Sequence, residues 1–210
     1  MFDKHKALNW ILFVATFCLV SVPWTHGAES KTETVVDLFL RVPPETLGLV
    51  GEDGKLLPIA TRPSIIKTTD IPNGWLELDG SKIERMPERW HAALFRRKGN
   101  TPILVFAGSR EPGNDWILAL TEKSGRWEDV TESVLPIPDA KWIDVRARER
   151  AVNATNKKKN LSDCASGRFF YELPRIGRVI RAKISSDCFE KDNGREIFQM
   201  EFNGTEFKRR

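Results

Sequence analysis

Short runs of apolar residues, separated by turn-forming residues, make up most of this chain and predict β-strands. The run Ile103–Ala107 is apolar at every position, which indicates a central strand covered on both faces. Trp116–Leu120 is apolar throughout as well, and Arg126–Val130 follows after a turn at Lys123-Ser124-Gly125. Because the connections are only a few residues long, these three segments predict an antiparallel meander.

The C-terminal third alternates apolar and polar residues, a pattern typical of strands with one buried face. This alternation covers Val179–Ile184 and again Ile197–Phe202. Asn203-Gly204 is a tight-turn signal that folds the chain back. Three further strands are predicted at Gly74–Asp79, Arg89–Arg97 and Arg168–Leu173.

Helical periodicity is scarce. Thr34–Arg41 fits either a strand or a short helix that stops at Pro43-Pro44, and Pro44–Val50 fits one helical turn. We therefore predict a mainly β protein, an antiparallel meander that forms a β-sandwich or a partly closed barrel.

The chain is long enough for one domain with a substantial core, which we place at residues 29–210. A division into two halves, 29–140 and 161–210, is the alternative organisation. The basic segment 141–160, within the stretch Pro136–Asn160, would then be the connection between them, and otherwise that stretch is a long surface excursion.

Residues 1–28 have the features of a secretory signal peptide. Lys4 and Lys6 precede the apolar run Ala7–Trp24, and Thr25-His26-Gly27-Ala28 provides small residues for cleavage. An uncleaved membrane anchor is the alternative, because eighteen mostly apolar residues approach the length of a spanning helix. We expect cleavage, a periplasmic or secreted location, and no transmembrane span in the mature chain.

Export would place the cysteines in an oxidising compartment, which favours a disulfide over free thiols. Only Cys164 and Cys188 follow the leader, and in an oxidising compartment they are predicted to form one disulfide. Two separate buried thiols are the alternative.

Removal of the leader leaves 31 basic against 28 acidic residues, so the mature chain is close to charge balance. Near-balanced charge in an exported protein argues against nucleic acid as a partner.

Positive charge is concentrated in residues 141–160, which carry a net charge of +5. Arg146, Arg148 and Arg150 are candidate binding residues there for an envelope protein, a glycan or an anionic lipid. The alternative is a solvated edge whose charges discourage aggregation between strands.

Five tryptophans follow the leader, and an exposed indole can stack on a sugar or another ligand. Trp116 lies in an apolar strand and is predicted to be core. Trp75 and Trp127 stand beside acidic residues, so we expect these two to be exposed and name them as candidate binding residues.

Candidate catalytic groups are few. Glu128, Asp129 and Glu132 cluster around Trp127, and paired carboxylates can hydrolyse glycosidic bonds, but neighbours on a strand point to opposite faces. His91 is the one histidine after the leader, too few for a zinc site of several imidazoles. We therefore predict no catalytic residue, metal ligand or cofactor.

The phrase Trp127-Glu128-Asp129-Val130-Thr131, followed by Leu135-Pro136, resembles one found in uncharacterised bacterial secreted or periplasmic proteins. That resemblance implies an exported β-rich fold and no particular activity. Our function hypothesis is a non-enzymatic binding or interaction module of the cell envelope. The alternatives are a carboxylate-dependent glycan hydrolase and a structural envelope component.

Overall fold

The computed structural model describes residues 32–51, 53–81, 83–84, 89–109, 116–136, 169–184 and 196–210. The predicted signal peptide (residues 1–28), the basic segment with Arg146, Arg148 and Arg150, and the cysteines Cys164 and Cys188 lie outside these ranges. Export, the arginine site and the disulfide therefore stay predictions.

Antiparallel β-strands dominate the described residues, as predicted. In chain order the strands are β1 (Val50–Gly51), β2 (Ile66–Asp70), β3 (Trp75–Asp79), β4 (Ile83–Glu84), β5 (Arg89–Arg96), β6 (Pro102–Ser109), β7 (Trp116–Lys123), β8 (Arg126–Asp129), β9 (Phe169–Glu172), β10 (Val179–Ile184), β11 (Glu196–Phe202) and β12 (Phe207–Arg209). They form a six-stranded sheet in the order β2-β3-β5-β6-β7-β8, a four-stranded sheet in the order β9-β10-β11-β12, and the short pair β1-β4.

The predicted meander is confirmed as β6-β7-β8, with antiparallel pairing between successive strands. Strand β6 is central, and all its residues from Ile103 to Ala107 are fully buried. The pattern gave no signal for β2, because its sequence Ile-Lys-Thr-Thr-Asp is mostly polar. As an edge strand, β2 needs to bury little. The larger sheet keeps β2 and β8 as free edges and does not close into a barrel within the described residues.

The four-stranded sheet packs against one face of the larger sheet, which we call the inner face. One apolar cluster contains Phe95, Val105 and Ala119 of the large sheet together with Ile180 and Phe198 of the small one. The predicted alternation is confirmed in β10 and β11, whose apolar residues Ile180, Ala182, Phe198, Met200 and Phe202 are buried.

The opposite surface of the small sheet is solvated and carries cross-strand ion pairs. Lys183 Nζ lies 2.8 Å from Glu172 Oε2, and Arg181 Nε lies 3.2 Å from Glu196 Oε2. The small sheet therefore has one apolar and one charged face, as its sequence alternation requires.

Helices and turns cover the outer face of the large sheet. Helix α1 is Val35–Arg41, α2 is Pro44–Leu47, a 3-10 helix spans Ile59–Ile65, and α3 is Thr131–Val134 on the other side of the sheet. Of the two structures that Thr34–Arg41 allowed, the helix forms, because Thr34 and Asp37 make a capping box. Val35, Leu38 and Phe39 then share the buried side. No helix among the residues described here has the length and apolarity to cross a bilayer.

Candidate functional site

A pocket of about 190 Å³ opens where the two sheets meet α3. Its wall is almost wholly apolar and is formed by Ile117, Leu135, Pro136, Tyr171 and Met200, with Thr131 and Glu132 completing the lining. Drug-sized ligands occupy pockets of about 300–1,000 Å³, so this one accommodates a smaller group.

The three carboxylates predicted to cluster around Trp127 have different surroundings in the structure. Asp129 Oδ1 accepts hydrogen bonds from Thr131 N at 2.8 Å and Thr131 Oγ1 at 2.6 Å, so it holds the first turn of α3. Thr131 Oγ1 in turn accepts from Ala119 N at 2.9 Å, which ties α3 to β7. Glu128 is exposed on edge strand β8. Only Glu132 of the three carboxylates lines the pocket.

Trp75 is not the exposed platform that its position beside Glu77 led us to expect. Its side chain is only 8% exposed, because Arg175 and His91 cover it. The guanidinium carbon of Arg175 lies 5.3 Å from the centre of the indole, and the His91 ring stacks on the indole with centroids 5.2 Å apart. A sugar cannot stack on Trp75 unless one of these side chains moves.

Arg175 reaches Trp75 from the loop between β9 and β10 and is fixed by Asp70 of β2. Arg175 Nε donates to Asp70 Oδ2 at 2.8 Å, and Asn73 Nδ2 donates to Asp70 Oδ1 at 3.0 Å. These hydrogen bonds, that of Arg175 first, hold the pKa of Asp70 below its ordinary value. Asp70 is therefore ionised at neutral pH and is unsuited to donate a proton.

Asp79 on β3 is held in the same state. The backbone N–H of Ser81 donates to Asp79 Oδ1 at 2.9 Å, and Lys67 Nζ lies 3.3 Å from Oδ2. The hydrogen bonds from Ser81, with Lys67 as a smaller cause, lower the pKa of Asp79. Both perturbed carboxylates on this sheet thus favour the charged form.

The second candidate indole, Trp127, does not combine with Trp75. It is half-buried on β8 and packs against the outer-face cluster, whereas Trp75 belongs to the inner-face cluster. Four strand spacings of about 4.8 Å also separate β3 from β8, so the strands that carry the two indoles lie about 19 Å apart in the sheet. Trp116, predicted as core, is half-buried on the outer face and contacts Trp90.

The sequence analysis singled out Glu132 but did not predict the pocket, because the lining residues come from four separate segments. The sequence pattern places Tyr171 and Met200 on strands but gives no sign that they share a pocket. Arg175 lies in a Pro-Arg-Ile-Gly loop, where no local pattern marks it as a functional residue. Short-range spacing contains no signal that could have joined them. Across the described ranges, no three His, Cys, Asp or Glu side chains are grouped as metal ligands would be.

The phrase that resembles secreted bacterial proteins has a local structural role here. Its Asp129 and Thr131 form the turn that starts α3, and Leu135 is buried in the inner-face cluster. No protein-family model, curated protein or solved structure matches this chain.

Proposed function

We propose that this protein is an exported, non-enzymatic binding module of the cell envelope, built as a β-sandwich. The observation that supports the proposal best is the pocket between the sheets, whose apolar wall has a single carboxylate, Glu132. An apolar wall with few polar groups is the usual composition of a ligand site.

The ligand class follows from the shape and charge of the pocket. A volume of about 190 Å³ fits a short alkyl or single-ring group. Thr131 already uses its hydroxyl hydrogen toward Asp129, so it does not offer a proton to a ligand. The exposed carboxylate of Glu132 favours a cationic end, and we infer an apolar group that carries an amine.

The test compares two ligands with the same tail and opposite charge. Hexylamine and hexanoate are titrated into the full chain and followed by NMR. We expect hexylamine to bind and hexanoate to bind more weakly. Glu132→Gln should lower the affinity for hexylamine about two- to fivefold, the scale of an exposed ion pair.

Two variants complete this experiment. Ile117→Trp, which fills the pocket, should remove binding of both compounds, whereas Glu128→Gln, a nearby exposed carboxylate outside the lining, should change nothing. Failure of both compounds to bind, or equal binding in the wild type and Ile117→Trp, would contradict the proposed pocket.

Export is tested separately by mass spectrometry of the naturally produced protein. We expect a chain that lacks residues 1–28 and has Cys164 joined to Cys188. A full-length chain in the cytosol whose two thiols can be alkylated would overturn the exported role.

A further inference from the structure

A buried arginine on the outer face has a hydrogen-bonding edge with no acceptor among the described residues. Arg62 belongs to the 3-10 helix Ile59–Ile65, and its side chain has no solvent exposure. Its Nη1 donates to the carbonyl oxygen of Phe39 at 2.9 Å. Its Nε and Nη2 are buried and have no hydrogen-bond partner in the described part of the chain.

Such an arrangement requires an explanation. A guanidinium remains charged under ordinary conditions, and a buried charge with unmade hydrogen bonds is strongly unfavourable. Burial lowers the pKa of Arg62, and the carboxylate of Glu45 on α2 opposes that effect only in part. Buried unsatisfied groups in native proteins commonly mark a bound ion or water.

The free edge has a defined geometry. Nε and Nη2 lie on the same side of the planar guanidinium and present parallel N–H groups, which match the two oxygens of a carboxylate or phosphate. The Phe39 carbonyl, near the C-terminal end of α1, holds the third nitrogen, and the guanidinium carbon lies 5.8 Å from the centre of the Phe39 ring. The edge is therefore oriented before any anion arrives.

We propose that the Nε–Nη2 edge of Arg62 is a binding site for a small oxyanion, either a carboxylate or a phosphate. The site lies under the 3-10 helix on the outer face, so it is independent of the pocket on the inner face. An anion bound to this edge stabilises the folded chain, because the unfolded chain does not present the oriented edge.

The first experiment measures thermal unfolding of the full chain. Inorganic phosphate or acetate, in separate titrations, replaces chloride at constant ionic strength. We expect the wild-type Tm to rise and saturate with one of the two anions, which identifies the oxyanion class. Arg62→Met should abolish the rise, and Arg178→Met, which removes an exposed arginine from the β9–β10 loop, should retain it.

A second measurement does not depend on the stability of Arg62→Met. Arg62→Lys keeps a positive charge but removes the bidentate edge, so its affinity for the anion should fall at least tenfold. In the wild type, the Nε–H resonance of Arg62 should shift during the same titration. A resonance that does not move, or an equal Tm response in Arg62→Met and the wild type, would overturn the proposal.

The carboxylate of Glu45 is the alternative acceptor for the Nε–Nη2 edge of Arg62. If Glu45→Gln destabilises the chain as much as Arg62→Met, the two changes are not additive, and no anion dependence exists, then Glu45 itself supplies the oxygens. The oxyanion site would then be wrong, while the pocket proposal would be unaffected.

Discussion

The two faces of the six-stranded sheet are covered in different ways. A second sheet, whose own backbone is paired strand to strand, covers the inner face. Short helices and turns cover the outer face. Of the four buried nitrogens without a partner among the described residues, two belong to Arg62 and one to Trp90, both on the outer face. The short helices and turns fill the space over the outer face but leave these buried N–H donors without acceptors among the described residues.

Both faces contain packed aromatic rings, but most of the buried alanines lie on the inner face. On the outer face large aromatic rings fill an uneven gap, with Trp90 at the centre of Phe39, Phe106 and Trp116. On the inner face the sheets meet over the rings of Phe95, Phe202 and Phe207 at one end, and over small side chains elsewhere, namely Ala93, Ala107, Ala119 and Ala182. We expect loss of volume to be most costly at the central ring of the outer face, and gain of volume to be most costly at the alanines of the inner face.

The largest effect is expected for Trp90→Ala on the outer face. The indole is fully buried, and its centroid lies 5.7 Å from that of Phe106 and 6.0 Å from that of Phe39. Its loss should reduce the free energy of unfolding by about 3–5 kcal/mol. Urea denaturation measures this, with Trp127→Ala at the half-exposed sheet edge as the control. Equal losses in the two variants would contradict a central role for Trp90.

An intermediate effect is expected for Ala107→Leu on the inner face. Ala107 is fully buried in the cluster shared by the sheets, so added methylenes force the sheets apart and should cost about 1–3 kcal/mol. The matched change Ala60→Leu on the exposed surface of the 3-10 helix should have little effect. If Ala107→Leu left the urea midpoint unchanged, the close approach of the sheets would be refuted.

The smallest effect is expected at the margin of the inner face, where Arg175 covers Trp75. Because Arg175 lowers the pKa of Asp70 in the folded chain, ionised Asp70 stabilises the fold above its ordinary pKa of 3.8. This contribution is lost as pH falls through the lowered folded-state pKa. Arg175→Ala should therefore lower the Tm modestly at pH 7 and converge with the wild type in acid.

Thermal unfolding between pH 7 and pH 2 tests this convergence. Asp70→Asn serves as the control, since it removes the titrating carboxylate and should give a similar loss at pH 7 that also disappears in acid. A difference between Arg175→Ala and the wild type that stays constant over the whole range would show that cover of the indole, rather than the ion pair, stabilises this margin.

Alternation and turn residues were enough to predict the strands of the C-terminal hairpin and the central meander. They failed for β2, because an edge strand with Lys67, Thr68 and Thr69 has no apolar face to display. They also failed for the exposure of Trp75, because its cover comes from Arg175, anchored to Asp70 over a separation of 105 residues. The candidate pocket and the Nε–Nη2 edge of Arg62 also depend on contacts between residues far apart in the sequence.

The sequence by itself therefore determined the central meander and the buried faces of β10 and β11, since side chains alternate direction along a strand and this property is local. Only the tertiary structure decided which faces meet, which indole is covered, and which buried guanidinium keeps two nitrogens without a partner among the described residues. The physical reason is that burial and pairing are set by groups from distant segments, whose approach is fixed by sheet packing rather than by neighbours in the chain.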